Sequence, residues 1–147
     1  MSLIPDSCVI SNDNRSECVA TENGKTYKLI NKSKVQIRKV KVDNCIQQRE
    51  GEKRCDYLMS IDNKEHKKVF FIELKGGGLS DAIKQIYSTI IYLQAELKGF
   101  QLEARIVESG DVPNFKNSPQ YLKLLKQVYL TKGTIIRATN KFYSENI

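Results

Sequence analysis

The sequence predicts an α/β protein of the α+β kind, built on a mixed sheet. The predicted element order is βββαβ followed by αβ, with a strand and loop extension at the N-terminus. Three observations lead there. Strand-length apolar runs occupy residues 35–42, 55–61 and 69–75, with polar turns between them. Ile83, Ile86, Ile90, Leu93 and Leu97 then recur at spacings of three and four, which is a helical stripe. Two further strand-like runs, 101–107 and 134–138, enclose a second helical segment.

Each element has its own signal. Glu22-Asn23-Gly24-Lys25 carries the Asn-Gly pair of a tight hairpin and joins Cys18-Val19-Ala20 to Tyr27-Lys28-Leu29-Ile30. Val35-Gln36-Ile37 and Val40-Lys41-Val42 alternate as a half-buried strand does. Asp43-Asn44-Cys45 and the turn-like stretch from Gln47 to Lys53 lead into the strand from Cys55 to Ile61. The polar residues from Asp62 to Lys68 form a hairpin loop before the strand from Val69 to Lys75, so residues 34–75 read as a three-stranded antiparallel meander.

Gly76-Gly77-Gly78 fits either close approach of a phosphate backbone or a flexible strand-to-helix turn. Ser80 is expected to cap a helix running to about Lys98, with Gln85, Thr89 and Tyr92 on a separate polar face. Gly99 ends that helix. The run from Gln101 to Val107 is then predicted to lie parallel to the 69–75 strand through a right-handed crossover. Ser118-Pro119 starts the second helix, Tyr121, Leu122, Leu125, Val128 and Tyr129 give it an apolar face, and Gly133 stops it. Thr134 to Ala138 is predicted to be the last strand. The chain, 1–147, is expected to be a single domain: 1–33 an N-terminal strand and hairpin extension, 34–110 the core, and 111–147 a C-terminal helix and strand.

Lys and Arg number 24 against 17 Asp and Glu, for a net charge of +7. That balance favours a polyanionic partner and equally suits plain solubility. No apolar run reaches membrane-spanning length, and the first residues lack a basic region followed by an apolar core. A cytoplasmic protein with no membrane partner is expected. Cysteines stand at 8, 18, 45 and 55 without a Cys-x-x-Cys pair, and the single histidine, His66, falls in the hairpin loop. Reduced, mostly buried thiols are therefore expected over a zinc site, with Cys45 and Cys55 placed as cross-strand neighbours. There is no GxxxxGK[ST] pattern for a nucleoside triphosphate.

The strongest functional signal comes from strand register. If Ile61 pairs with Lys68, Leu58 faces Phe71 and Asp56 faces Glu73, and Asp56, Glu73 and Lys75 point the same way. Opposed residues have Cβ atoms about 5 Å apart, close enough for two carboxylates to share a cation. Such oxygen ligands suit Mg²⁺. Without that convergence, the same residues are a surface acid and a solvated ion pair.

An acid on one core strand, followed by Glu73-Leu74-Lys75 on the next, resembles the PD-(D/E)XK phosphodiesterase superfamily, the restriction-endonuclease-like nucleases. The resemblance spans residues 35–110, with Cys55 where the family has Pro before its first acid. It implies a restriction-endonuclease-like core, with Asp56 and Glu73 as metal ligands and the Leu74 backbone carbonyl completing the shell. Lys75 would position or activate the attacking water, and Gln85 would reach that water or the nucleic acid. The implied cofactor is Mg²⁺, with Mn²⁺ as a substitute. The implied activity is hydrolysis of phosphodiester bonds in nucleic acid, DNA foremost, structure-specific or within a defence or mobile-element system. Cutting both strands with one small site is simplest in a homodimer. Members of the family often add an acid from an initial helix; here Glu17, Glu22 and Glu50 are equal candidates. The alternatives are a non-enzymatic nucleic-acid-binding domain that keeps the fold and a protein-interaction domain.

Overall fold

The computed structural model describes residues 2–74, 78–109 and 118–147. Lys75, Gly76, Gly77 and the 110–117 segment lie outside that set. The chain forms a mixed α/β protein with two mixed sheets and two α-helices. The large sheet has six strands: β1 (Val9–Asp13), β4 (Ile37–Lys41), β5 (Tyr57–Asp62), β6 (Lys67–Leu74), β7 (Gln101–Val107) and β8 (Ile135–Ala138), in that spatial order. The small sheet holds β2 (Glu17–Glu22), β3 (Lys25–Ile30) and β9 (Phe142–Asn146). α1 is Leu79–Tyr92 and α2 is Pro119–Tyr129.

The meander forms with the register the side-chain pattern requires. Ile61 pairs with Lys68, Ser60 with Val69 and Leu58 with Phe71. β7 and β8 then run parallel to β6, each reached through a helix. The two faces of β6 bury different residues. Val69 and Phe71 pack with Ile83, Ile86 and Leu124 on the helical face, whereas Phe70, Ile72 and Leu74 pack with Tyr27 and Leu29 of the small sheet. The continuous apolar run of β6 is thus explained by coverage on both sides. Phe71 is fully buried, so its truncation to Ala should cost about 3–5 kcal/mol.

The Asn23-Gly24 turn forms as expected, with both residues at positive φ and Glu22 opposite Lys25. Ser118 accepts from the Tyr121 amide at 3.1 Å and caps α2. Gly133 has a stricter reason than stopping a helix. A Cβ there would fall 1.7 Å from the Leu102 carbonyl oxygen, and the left-handed residue is Lys132.

Several expectations need correction. α1 starts from Gly78, at φ 77°, so Ser80 lies in its first turn and caps nothing. It ends at Tyr92, and Gln94–Leu97 tightens into a 3₁₀ turn, because Leu93 points back into the core. Ile135–Ala138 is not the last strand: β9 follows and pairs in parallel with β3. Its polar run Phe142-Tyr143-Ser144-Glu145-Asn146 carried no apolar alternation. The cysteines are not all reduced. Cys8 and Cys45 form a disulfide, Cα atoms 5.8 Å apart, while Cys18 and Cys55 are free and buried. The 3₁₀ turn Asp6–Cys8 brings Cys8 to the turn in which the Cys45 amide donates to Val42, so Cys45 and Cys55 are not a pair. The expectation of four reduced thiols is therefore not met. Among the described residues, no helix is long and apolar enough to cross a membrane.

Candidate active site

Asp56 sits one residue before β5, and the β5–β6 register continued by one step opposes it to Glu73. Both are buried, at 6 % and 2 % exposure. This is the wrong environment for the surface acid and solvated pair of the bland sequence reading. The Asp56 carboxylate accepts from the Leu74 amide at 2.7 Å, which ties the end of β5 to the end of β6. Glu73 continues the alternation that puts Val69 and Phe71 on the helical face. Burial, and after it the nearby charges of Glu73 and Asp56, push the Cys55 thiol well above its ordinary range.

Glu22, at the tip of the small sheet's hairpin, is an acidic neighbour of Asp56. The two carboxyls stand within hydrogen-bonding reach of each other. Burial raises the Asp56 pKa to about 6. The Leu74 amide opposes that rise, Glu22 adds to it, and Lys41 partly offsets it. Lys41 Nζ lies 3.3 Å from Glu22 and 4.7 Å from the centre of the Tyr57 ring. Of Glu17, Glu22 and Glu50, the structure therefore selects Glu22. It arrives from a strand hairpin, not from an initial helix. The signal available in the sequence was its place beside Asn23-Gly24, since a hairpin tip can reach over the end of a neighbouring sheet.

The same tip contributes two more groups. Asn23 Nδ2 donates to the Leu74 carbonyl at 3.1 Å, so the oxygen expected to complete a metal shell already has one hydrogen bond and one lone pair left. Lys25, buried at 6 % exposure, donates to the Asn23 carbonyl at 3.0 Å. Lys75, expected beside the ion, lies outside the described residues.

Gln85 is buried against the segment that carries Asp56. Its Nε2 donates to the Arg54 carbonyl at 3.2 Å. One turn on, Thr89 Oγ1 accepts from the Cys55 amide at 3.0 Å and donates to the Gln85 carbonyl at 2.8 Å. The polar face seen in the sequence is therefore a dock for the backbone leading to Asp56. Arg54 closes that dock. Its guanidinium, 1 % exposed, donates to Ser88 Oγ at 2.5 Å and to the Gln47 carbonyl at 3.2 Å, and lies 4.5 Å over the Tyr92 ring. Thr89 was legible only as part of a polar helix face and Arg54 carried no signal, because neither residue type marks a site until the helix is docked.

A divalent cation can be tested against this donor set. Among the described residues, no group of three or more His, Cys, Asp or Glu side chains is arranged as a ready-made metal cage. Mg²⁺ does not require one: it keeps several waters and takes one or two carboxylates. Asp56 and Glu22 supply that number, and their contact is the kind a cation relieves, since a buried acid ionises at a cost beside a second acid. The residues fit a hard dication, with Glu73 in reserve across the register. No protein-family profile, curated protein or solved structure matches this chain.

Proposed function

We propose that the chain is a metal-dependent nuclease that hydrolyses phosphodiester bonds of DNA, with Mg²⁺ or Mn²⁺ held at Asp56 and one facing acid, Glu22 or Glu73. The observation that carries this reading is the carboxyl pair at the strand ends, buried Asp56 against partly exposed Glu22, with Asp56 raised to about 6. Folding two acids against each other costs stability, and a cation bound there offsets the cost. The resemblance to restriction-endonuclease-like enzymes at Asp56 and Glu73-Leu74-Lys75 adds to it, as does the net charge of +7. When bound, the ion supplies positive charge to a phosphoryl oxygen and makes water acidic enough to act as nucleophile near neutral pH.

The protein's own groups have separate tasks. Asp56 gives up its proton on binding, so occupancy rises with pH through the range around 6. Lys75 stabilises charge developing on the phosphate. Gln85 and Thr89 act as positioning residues, through the Arg54 carbonyl and the Cys55 amide. Leu74 holds Asp56 through its amide.

The test pairs two readouts on the full chain. Mg²⁺ should raise the melting temperature of the parent but not of Asp56→Asn, and the parent should cut plasmid, branched or single-stranded substrates with Mg²⁺ or Mn²⁺ and stop with EDTA. A parent that neither gains stability from Mg²⁺ or Mn²⁺ nor cuts any of these substrates overturns the proposal. Salt-dependent DNA binding without cutting would leave a non-enzymatic binding domain.

A further inference from the structure

A cleft runs along the exposed flank of α1, between the helix and the 47–54 segment. One part, ≈ 490 Å³, lies between Arg49, Arg54, Tyr87, Ile91 and Tyr92. It shares Glu52 and Ser88 with a second part of ≈ 350 Å³ that is lined by Lys53, Lys84 and Gln85. A third part, ≈ 230 Å³, shares Lys84 with the second and Tyr87 with the first, and extends to Lys123 of α2. The charged groups on these walls are five cations, Arg49, Lys53, Arg54, Lys84 and Lys123, against two acids, Glu52 and Asp81. Glu52 is engaged inside the protein, accepting from the Arg49 amide at 2.9 Å and from Arg54 at 3.3 Å.

Arg54 is the notable member of this lining. It is almost wholly buried, its one ion-pair partner is the exposed Glu52, and its Nε–H has no acceptor among the described residues. A buried guanidinium with so little counter-charge projects its field into the cleft, where an anion would complete it. Beside it stand a half-buried Tyr87 and an exposed Ile91, which a phosphate has no use for. Cations interleaved with aromatic and aliphatic side chains suit a strand whose bases are free to stack. A duplex keeps its base faces covered and offers chiefly phosphates to a surface of this kind. The cleft also leads to the site: Gln85 lines it and bonds the Arg54 carbonyl, two residues before Asp56.

We propose that this cleft binds a single strand of nucleic acid, with bases against Tyr87 and Ile91 and phosphates against Lys53 and Lys84 within the field of the buried Arg54, and that it feeds the strand to the Asp56 site. The second half of that statement rests on the nuclease reading; the first does not.

Fluorescence anisotropy of the full chain in EDTA, with labelled oligothymidylate, oligouridylate and a DNA duplex at several salt concentrations, tests it. Both single strands should bind about tenfold tighter than the duplex or better. Tyr87→Ala should weaken single-strand binding about fivefold or more, with Tyr87→Phe restoring it. Lys84→Ala, at an exposed helix position, should lower the single-strand salt slope by about 0.7. The thymidylate and uridylate arms separate DNA from RNA as the source of the strand. Equal or tighter duplex binding, or single-strand binding unchanged in both Tyr87→Ala and Lys84→Ala, overturns the proposal. Strand binding without cutting in Mg²⁺ or Mn²⁺ keeps the cleft and removes the nuclease; cutting of duplex alone, with both variants active, does the reverse.

Discussion

Two groups of acids join the small sheet to the large one, and they are built with opposite electrostatics. Around Arg105 of β7, the guanidinium holds Glu145 of β9 in a two-pronged contact, at 2.6 and 3.1 Å, and reaches Glu103 at 3.3 Å. Tyr27 donates to Glu145 at 2.7 Å, and Thr134 donates to Glu103 from both amide and hydroxyl. Burial pushes Glu103 upward, but Thr134, Gln101 and Arg105 outweigh it and hold the carboxyl below its usual range. Around Asp56 the bridge from small sheet to large is acid to acid, and the pKa moves up. The first group is complete as it stands and serves the fold. The second sets acid against acid, with Lys41, 3.3 Å from Glu22, offsetting only part of the rise at Asp56.

The largest effect expected from breaking this contrast is on activity. Asp56→Ala or Glu73→Ala should reduce cleavage at least about a thousandfold, the loss of several kcal/mol of charge stabilisation. Asp56→Ala should cost no more than about 1–3 kcal/mol in urea unfolding, because relief between the facing acids partly offsets the lost acceptor of the buried Leu74 amide. Lys75→Ala should stop cleavage while keeping the melting-temperature rise with Mg²⁺. A Glu73→Ala protein that cuts like the parent would show that this site is not the nuclease centre.

Arg105→Met should do the reverse, costing stability and leaving the chemistry of surviving folded protein intact. Stranding Glu103 and Glu145 without their cation should cost about 3–5 kcal/mol, read from urea unfolding.

The two groups should also differ in their pH dependence. Asp56 binds its proton more tightly folded than unfolded, so stability falls as pH rises from about 4 to about 6, and the penalty persists above that. Each unit between the two pKa values is worth about 1.4 kcal/mol. Asp56→Asn should flatten this part of the profile, and Mg²⁺ should reverse it. Glu103, held low, contributes stability above its unfolded pKa and loses it as pH falls through its lower folded value. Urea unfolding from pH 3 to 8 on parent and Asp56→Asn reads both limbs.

The smallest effect concerns position. Gln85→Ala removes one hydrogen bond behind Asp56 and should lower cleavage by about tenfold at most, in kcat with KM little changed. A complete loss would move Gln85 from positioning residue to direct participant.

The register that opposes Asp56 to Glu73 was legible in the sequence, because strand side chains alternate strictly and a slip by one residue would turn Val69 and Phe71 out of the core. The helix stripe, the Asn23-Gly24 turn and the Ser118 cap were legible for similar local reasons. Glu22 was visible only as one acid among three. Nothing local says where a hairpin tip lands, since that depends on the small sheet packing against Phe70, Ile72 and Leu74. β9 was hidden for the same reason: its strand is made by pairing with β3, not by its own apolar pattern.

By itself, then, the sequence determined the meander strands, the two helical stripes, the meander's register and which acid faces Glu73, all properties set by nearest neighbours and side-chain period. Tertiary structure decided the partners: Cys8 for Cys45, Arg105 for Glu145, Gln85 for the Arg54 carbonyl and Glu22 for Asp56. Those pairings join residues from about 30 to 40 positions apart, and their geometry follows from how two sheets and a helix close over a common core, which no short stretch of sequence encodes.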